Sequence, residues 1–380
     1  MQGALYLQDG SVFLGQFFGY PEESQGEIVF STGMTGYPQS LTDPSYEGQI
    51  LVLTYPLIGN YGVSNPVYIK KILQNLQSPS IHIRGLIVSS NINEKSHWQA
   101  KKTFHQWLFE NKIPALQGID TRALTQKLRE KGEMGGRIIK IKNYDSRIKN
   151  KKYKFIDSNK ENLAEKVSCK KPIIYKNGRK KILLIDCGVK HSILKSLFKS
   201  GITIIRVPYN TNETRLKQAG FSLGQISGVV ISNGPGDPKK LGKTISFIRK
   251  ILKQKIPTLG ICLGNQLLCL AAGGDTYKLK YGHRSANQPV LLKGTKKAYI
   301  TSQNHSYAVK MESLDRNWQE WFINLNDGTN EGIKHKRLPF MSVQFHPEGC
   351  PGPKDTNWVF EEFIENTLSF RTGYPPVGGA

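Results

Sequence analysis

Three short stretches carry side chains that could exchange protons and form bonds with one another. Pro257-Thr-Leu-Gly-Ile-Cys-Leu-Gly-Asn-Gln sets Cys262 between Gly260 and Gly264, where an apolar, strand-like run meets a helix-like one. This has the form of a nucleophile elbow, in which glycines on both sides permit a strained, close-packed turn that presents the central side chain at the end of a sheet. A helix beginning just after Cys262 favours thiolate over thiol through its N-terminal dipole. Cys187 and Cys269, in apolar element contexts, read instead as small buried residues.

A thiol nucleophile needs a base, and an imidazole base needs a partner that fixes its tautomer. Phe340-Met-Ser-Val-Gln-Phe-His-Pro-Glu supplies both: a strand ends at Phe345, and Pro347 stiffens the turn holding His346 and Glu348. The third stretch, Val230-Ile-Ser-Asn-Gly-Pro-Gly-Asp-Pro, is another strand followed by a glycine-rich turn. Its backbone N–H groups, with that of Leu263, suit a developing oxyanion. A plain tight turn and a phosphate cradle remain open for this loop, although the Gly-Lys-Ser/Thr of a P-loop does not follow.

These stretches need a scaffold that brings strand ends together. From Lys181 onward the pattern alternates: strands at Lys181–Asp186, Ile202–Val207, Gly228–Ser232 and Ile256–Ile261, helices at Lys190–Lys199, Thr244–Lys253 and Leu263–Ala272. Such βαβ repetition implies an α/β domain with a mostly parallel sheet, whose chemistry gathers beyond the carboxyl ends of its strands. Residues 146–179 are rich in Lys and Asn with little periodicity and read as a connector, with one short helix near Glu161–Val167. The first domain, residues 1–145, is mixed and β-rich. Ala4–Phe18 reads as a hairpin about Asp9-Gly10, short apolar strands follow at Gly26 and Gly48, and helical spacing covers Ser96–Asn111 and Thr121–Lys131. The second domain is residues 180–380.

The composition narrows the function classes. A chain of 380 residues with 38% hydrophobic and 22% charged residues suits two soluble globular domains, and no apolar run reaches the length of a membrane span. Five cysteines without Cys-x-x-Cys spacing argue against a disulfide framework or zinc site and for a reducing compartment. The start, Met1-Gln-Gly-Ala, has neither signal nor transit character. A net charge of +24 invites a nucleic-acid partner, but lysine dominates it, much of it lies in 140–160 and 166–181, and no binding module accompanies it. It reads as a solvated, compositionally driven surface with neither nucleic acid nor membrane as partner.

The three site stretches, in this order and spacing, resemble the class I, triad-type glutamine amidotransferases. The first half resembles the amino-terminal domain of the carbamoyl-phosphate synthase small subunit, through Ser31-Thr-Gly-Met-Thr-Gly-Tyr, Leu41-Thr-Asp-Pro-Ser-Tyr, Leu53-Thr-Tyr-Pro-Leu-Ile-Gly-Asn-Tyr-Gly and Gly118-Ile-Asp-Thr-Arg-Ala-Leu-Thr. The resemblance implies that Cys262 attacks the side-chain amide of glutamine, with His346 as base and Glu348 orienting it. It also implies a glutamine pocket of Ser45, Gly234, Gly236, Leu263, Gln266, Asn304, Ser306 and Tyr307. No cofactor or metal is expected in this chain. ATP and its metal ion belong to a large subunit, the implied partner in a heterodimer or a higher assembly, which makes carbamoyl phosphate for arginine and pyrimidine synthesis.

Two positions depart from the family pattern. Asn265 stands where relatives commonly have His, and Ser306 where many have Gly, which bears on turnover rather than on the triad. Other readings are a catalytically silent or glutamine-binding subunit and a cysteine peptidase using the same thiol–imidazole chemistry. The Lys/Asn/Ile bias and the absent transit segment place the expectation in a plastid stroma if the chain is organelle-encoded, and otherwise in a bacterial cytoplasm.

Overall fold

The computed structural model describes residues 1–141, 153–155 and 157–372. Residues 146–152 and 156 of the expected connector, together with residues 142–145 of the expected first domain and 373–380 of the second, lie outside them. The chain forms two compact units: residues 1–67, 75–161 and 280–285 make the first, and 68–74, 162–279 and 286–380 the second. A single linear boundary near 145–180 does not express this. The short hairpin at 68–74 groups with the second unit, and six residues of a long later strand group with the first.

The first unit is a closed barrel of seven strands, β1 (Gln2–Leu7), β2 (Val12–Gly19), β3 (Ser24–Ser31), β4 (Gln49–Leu53), β5 (Gly85–Val88), β6 (Pro114–Gln117) and β7 (Met134–Lys140), in the order β1-β7-β3-β4-β5-β6-β2. Side chains alternate across a strand, so each face has its own residues. Ile28, Phe30, Ile50, Val52 and Ile87 join Leu124 and Leu128 of helix α2 (Thr121–Lys131) in one core cluster. Val29, Leu51, Leu86 and Val88 join Phe104, Trp107 and Leu108 of helix α1 (Phe104–Glu110) in another. That double burial explains why β3, β4 and β5, which pair in parallel, read as unbroken apolar runs.

Helix α1 is shorter than its expected span of Ser96–Asn111. The Thr103 side chain accepts the Gln106 N–H at 3.2 Å and so sets the first turn. Residues 100–102 are extended, and Trp98, which completed the apparent apolar spacing, is 81% exposed.

The second unit is built on five parallel strands flanked by antiparallel ones. In chain order they are β8 (Ile173–Tyr175), β9 (Lys181–Asp186), β10 (Thr203–Pro208), β11 (Gly228–Ile231), β12 (Thr258–Ile261), β13 (Asp275–Leu292), β14 (Ala298–Lys310), β15 (Trp318–Asn324), β16 (Asn330–His335) and β17 (Phe340–Val343). The sheet order is β8-β10-β9-β11-β12-β17-β16-β15-β13-β14, with β10, β9, β11, β12 and β17 parallel. Ile182, Leu184, Val230, Leu259 and Ile261 face a cluster with Ile193, Leu194 and Leu197 of the helix His191–Lys199, while Leu183, Ile185, Val229 and Ile231 face one with Leu267 and Leu268 of the helix Leu263–Ala271. Apolar layers on both faces hold the strand ends rigid. Among the described residues no helix is long and apolar enough to cross a membrane.

Candidate active site

Four neighbouring strands, β9, β11, β12 and β17, each end in a turn that carries a functional group. The nucleophile strand β12 lies between the strand leading to Gly234 and the strand leading to His346, so adjacency in the sheet places the elbow between donor loop and base.

The elbow is forced by packing. A Cβ on Gly260 would sit 2.4 Å from the Gly264 carbonyl oxygen, and one on Gly264 would sit 2.1 Å from that of Ile231. Both obstacles are backbone and cannot rotate aside. Between them Cys262 adopts φ 55° and ψ −105°, a conformation costing on the order of 1–3 kcal/mol for a non-glycine residue. Its N–H donates to the Val343 carbonyl at 2.9 Å, and its own carbonyl accepts the Asn265 N–H at 3.0 Å, so both neighbouring elements hold the strained residue. The thiol, almost fully buried, lies 3.6 Å from the Asn304 carbonyl oxygen.

His346 follows β17, and its N–H donates to the Ser302 carbonyl at 2.8 Å. Its Nδ1 lies 2.8 Å from Glu348 Oε1. Burial alone would raise the Glu348 carboxyl, but Lys190 and His346 beside it hold it down at about 2. An ionised carboxylate can only accept, so Nδ1 is the donor and Nε2 of the neutral ring carries the free lone pair. That Nε2 is buried and has no hydrogen-bond partner among the described residues.

Lys190 is the group that sequence reading missed. Its ammonium, 2% exposed, lies 2.8 Å from the same Glu348 Oε1. It occupies the N-cap of the helix His191–Lys199, where a cation opposes the helix dipole, and burying it costs several kcal/mol more. A buried lysine in so unfavourable a place is held by its carboxylate partner. The available signal was a lysine in Asp186-Cys-Gly-Val-Lys190, just past the carboxyl end of a parallel strand.

The expected donor loop is also dictated by close approach. Gly234 has no room for a side chain, since a Cβ would lie 2.1 Å from the Cys187 carbonyl oxygen, and Gly236 has φ +88°. Gln266 donates to the Tyr307 carbonyl at 2.9 Å and to Gln344 Oε1 at 3.2 Å, tying the elbow helix to the strand that carries Asn304, Ser306 and Tyr307. Asn265 is buried; its Nδ2 donates to Gln344 Oε1 at 3.0 Å and its Oδ1 accepts from Ser342 Oγ at 2.7 Å. It therefore fastens the helix to β17 and the residue after it. The second unit carries Cys262, Leu263, Gln266, Gly234, Gly236, Asn304, Ser306, Tyr307, His346 and Glu348. Ser45 belongs to the first unit, in the turn Pro44–Tyr46, with its N–H donating to Asp43 Oδ1 at 2.9 Å.

Three of the remaining cysteines are held as thiols by burial. Burial pushes the thiols of Cys169 and Cys269 up to about 12 and that of Cys187 well above its ordinary value.

A strained cysteine between glycines, a histidine tied to a buried carboxylate and a glycine loop on adjacent parallel strands define a class I glutamine amidotransferase. The family model described as "Glutamine amidotransferase class-I" matches residues 183–366, and that described as "Carbamoyl-phosphate synthase small chain, CPSase domain" matches residues 5–138. The chain is 45% identical over 372 residues to a carbamoyl phosphate synthase small chain of Caldanaerobacter subterraneus subsp. tengcongensis, covering 98% of both. It is 44% identical to that of Pyrococcus furiosus, covering 96% of this chain and 97% of the relative. It is likewise 44% identical to the multifunctional protein CAD of Squalus acanthias, covering 97% of this chain and 16% of that protein. The chain belongs to the carbamoyl phosphate synthase small chain family.

Proposed function

We propose that this chain hydrolyses L-glutamine to glutamate and ammonia through a thioester on Cys262. His346 Nε2 takes the thiol proton as Sγ bonds to the side-chain amide carbon. The carbonyl oxygen becomes an anion that N–H groups of the Gly234–Gly236 loop and Leu263 receive. As the C–N bond breaks, His346 returns a proton to nitrogen and ammonia leaves. Water, deprotonated by His346, then adds to the thioester, and glutamate departs with the thiol restored. Glu348 holds the ring in the required tautomer throughout. Ser45, Gln266, Asn304, Ser306 and Tyr307 serve the α-amino, α-carboxylate and aliphatic parts of glutamine.

The observation that carries this reading is the buried His346 Nε2, without a hydrogen-bond partner among the described residues, on a ring whose other nitrogen is bound to an ionised carboxylate. The chain works with a large synthase subunit, in a heterodimer or a higher assembly, which receives the ammonia and converts bicarbonate and ATP to carbamoyl phosphate for arginine and pyrimidine synthesis. ATP and its metal ion act there, and this chain needs no cofactor of its own. The site of action is a plastid stroma or a bacterial cytoplasm.

The test is glutamine hydrolysis by the wild-type chain and Cys262→Ser, each with and without a large subunit, with glutamate and carbamoyl phosphate followed separately. Cys262→Ser is expected to lose both glutamine-dependent products while the complex still uses free ammonia. Equal behaviour of the two proteins would overturn the assignment of the nucleophile.

A further inference from the structure

Asp186 ends β9 and is fully buried, yet the chemistry proposed above makes no use of it. Its two oxygens are saturated. Oδ1 accepts the N–H groups of Gly188 at 2.9 Å and Val189 at 2.8 Å. Oδ2 accepts the N–H of Cys169 and the Nε of Arg206, both at 2.7 Å, and Arg206 Nη2 pairs with it at the same distance. The carboxylate thus sits at the centre of the turn leading from β9 to Lys190.

That turn is gripped from its other side by the donor loop. Ser232 Oγ accepts the Cys187 N–H at 2.9 Å, and Asn233 Oδ1 accepts the Lys190 N–H at 3.1 Å. Gly188, at φ +128°, has no space for a Cβ: Val167 Cγ2 would be 2.9 Å away and the Gly234 Cα 3.2 Å. Each backbone N–H from Cys187 to Lys190 is therefore bound either to Asp186 or to the residues just after β11. At the far end, the Lys190 ammonium meets Glu348 Oε1 at 2.8 Å, the oxygen that also holds His346.

We propose that Asp186 is a positioning residue for glutamine hydrolysis: by organising residues 187–190 it seats the Lys190 ammonium on Glu348 and so sets the orientation of His346. This rests on the assignment of Cys262, His346 and Glu348 made above. Asp186 touches neither substrate nor reacting atoms and acts only through Lys190. Arg206 has a different part, since it balances the buried Asp186 charge without contributing to the turn.

Removing Asp186 alone would strand the Arg206 guanidinium, so the informative variants carry Arg206→Met as well. The full chain and its variants Arg206→Met, Asp186→Ala/Arg206→Met, Lys190→Met and Asp186→Ala/Lys190→Met/Arg206→Met are assayed for glutamate release. Active sites are counted by covalent labelling with a diazoketone analogue of glutamine. Arg206→Met keeps the Gly188 and Val189 bonds and is expected to melt earlier with kcat per labelled site unchanged. Asp186→Ala/Arg206→Met is expected to lose kcat per labelled site by about tenfold or more with KM within about threefold, because chemistry and not binding is disturbed. The triple variant is expected to fall no further than Lys190→Met, to within about twofold, as two residues acting through one contact are not additive.

If Asp186→Ala/Arg206→Met keeps the wild-type kcat per labelled site, or if its loss multiplies with that of Lys190→Met, Asp186 is structural and the proposal is overturned. If the wild type releases no glutamate, or Cys262→Ser still does, it is the triad assignment that fails, and the two failures are told apart.

Discussion

Replacing Lys190 by Met tests how the charges around His346 are balanced. Lys190 Nζ and His346 Nδ1 each lie 2.8 Å from Glu348 Oε1, and Lys190 is the larger of the two influences that hold the Glu348 carboxyl down at about 2 against burial. Without the ammonium the carboxyl rises toward its ordinary 4.5, and a rise of about two units weakens the hold on the ionised form by about 3 kcal/mol. Only the ionised carboxylate obliges Nδ1 to donate and leaves Nε2 to the thiol. Lys190→Met is therefore expected to lose kcat/KM for glutamine, relative to wild type, as the pH falls: by about fourfold more at pH 4 than at pH 6, where both carboxyls are ionised. Glutamate release by the two proteins followed from pH 4 to pH 9 measures this. A ratio of the two activities that stays constant across that range would refute the charge argument.

Three further outcomes follow from the same geometry. Gly264→Ala puts a Cβ against the Ile231 carbonyl and is expected to cost on the order of 1–3 kcal/mol and to abolish glutamate release, while Gly242→Ala, which meets no atom within 4 Å, leaves both melting and turnover intact. Because the Glu348 carboxyl is held at about 2 against an ordinary 4.5, its contribution to stability, about 3 kcal/mol, is fully present above pH 4.5 and disappears as the pH falls toward 2. Urea midpoints between pH 6 and pH 2.5 should show this loss in the wild type and not in Glu348→Gln, so that the gap between the two proteins closes in acid. Asn265→Ala leaves the Ser342 hydroxyl without its buried acceptor and takes from Gln344 Oε1 one of its two donors, Gln266 keeping the other, and is expected to lower stability by about 1–3 kcal/mol, read as an earlier thermal transition.

The alternation of β9 to β12 with helices was legible because each strand is a short apolar run bounded by glycine, proline or a charge. The helix Thr121–Lys131 was legible through its helical spacing, which sets Leu124 and Leu128 on one buried face. The barrel was not. Its closure depends on β7, near residue 134, pairing with both β1 and β3, a long-range choice that no local pattern states. The antiparallel strands from Asp275 to His335 went unread for a related reason. They carry polar residues such as His305, Asn324, Asn330 and Glu331, which find partners inside the sheet and so blur the apolar rhythm.

The site divides along a similar line. Cys262 could be found because its two glycines are a local necessity: Gly260 and Gly264 meet backbone atoms within the elbow and the adjoining strand, and that constraint leaves a mark five residues long. Lys190 was marked only by its place just past a parallel strand, and nothing about a lysine at the start of a helix distinguishes a solvated ammonium from a buried one. The difference is made by Glu348, which lies 158 positions further along the chain and beside Lys190 only because β9 and β17 belong to one sheet. The same limit hid Asp186, whose five donors come from three separate segments. Residues that bend the backbone therefore announce themselves in sequence, whereas residues that set the charge of the base do so only in the folded sheet. Variants at Lys190 and Asp186 are accordingly the ones that separate a working amidotransferase from a chain that merely keeps the motif.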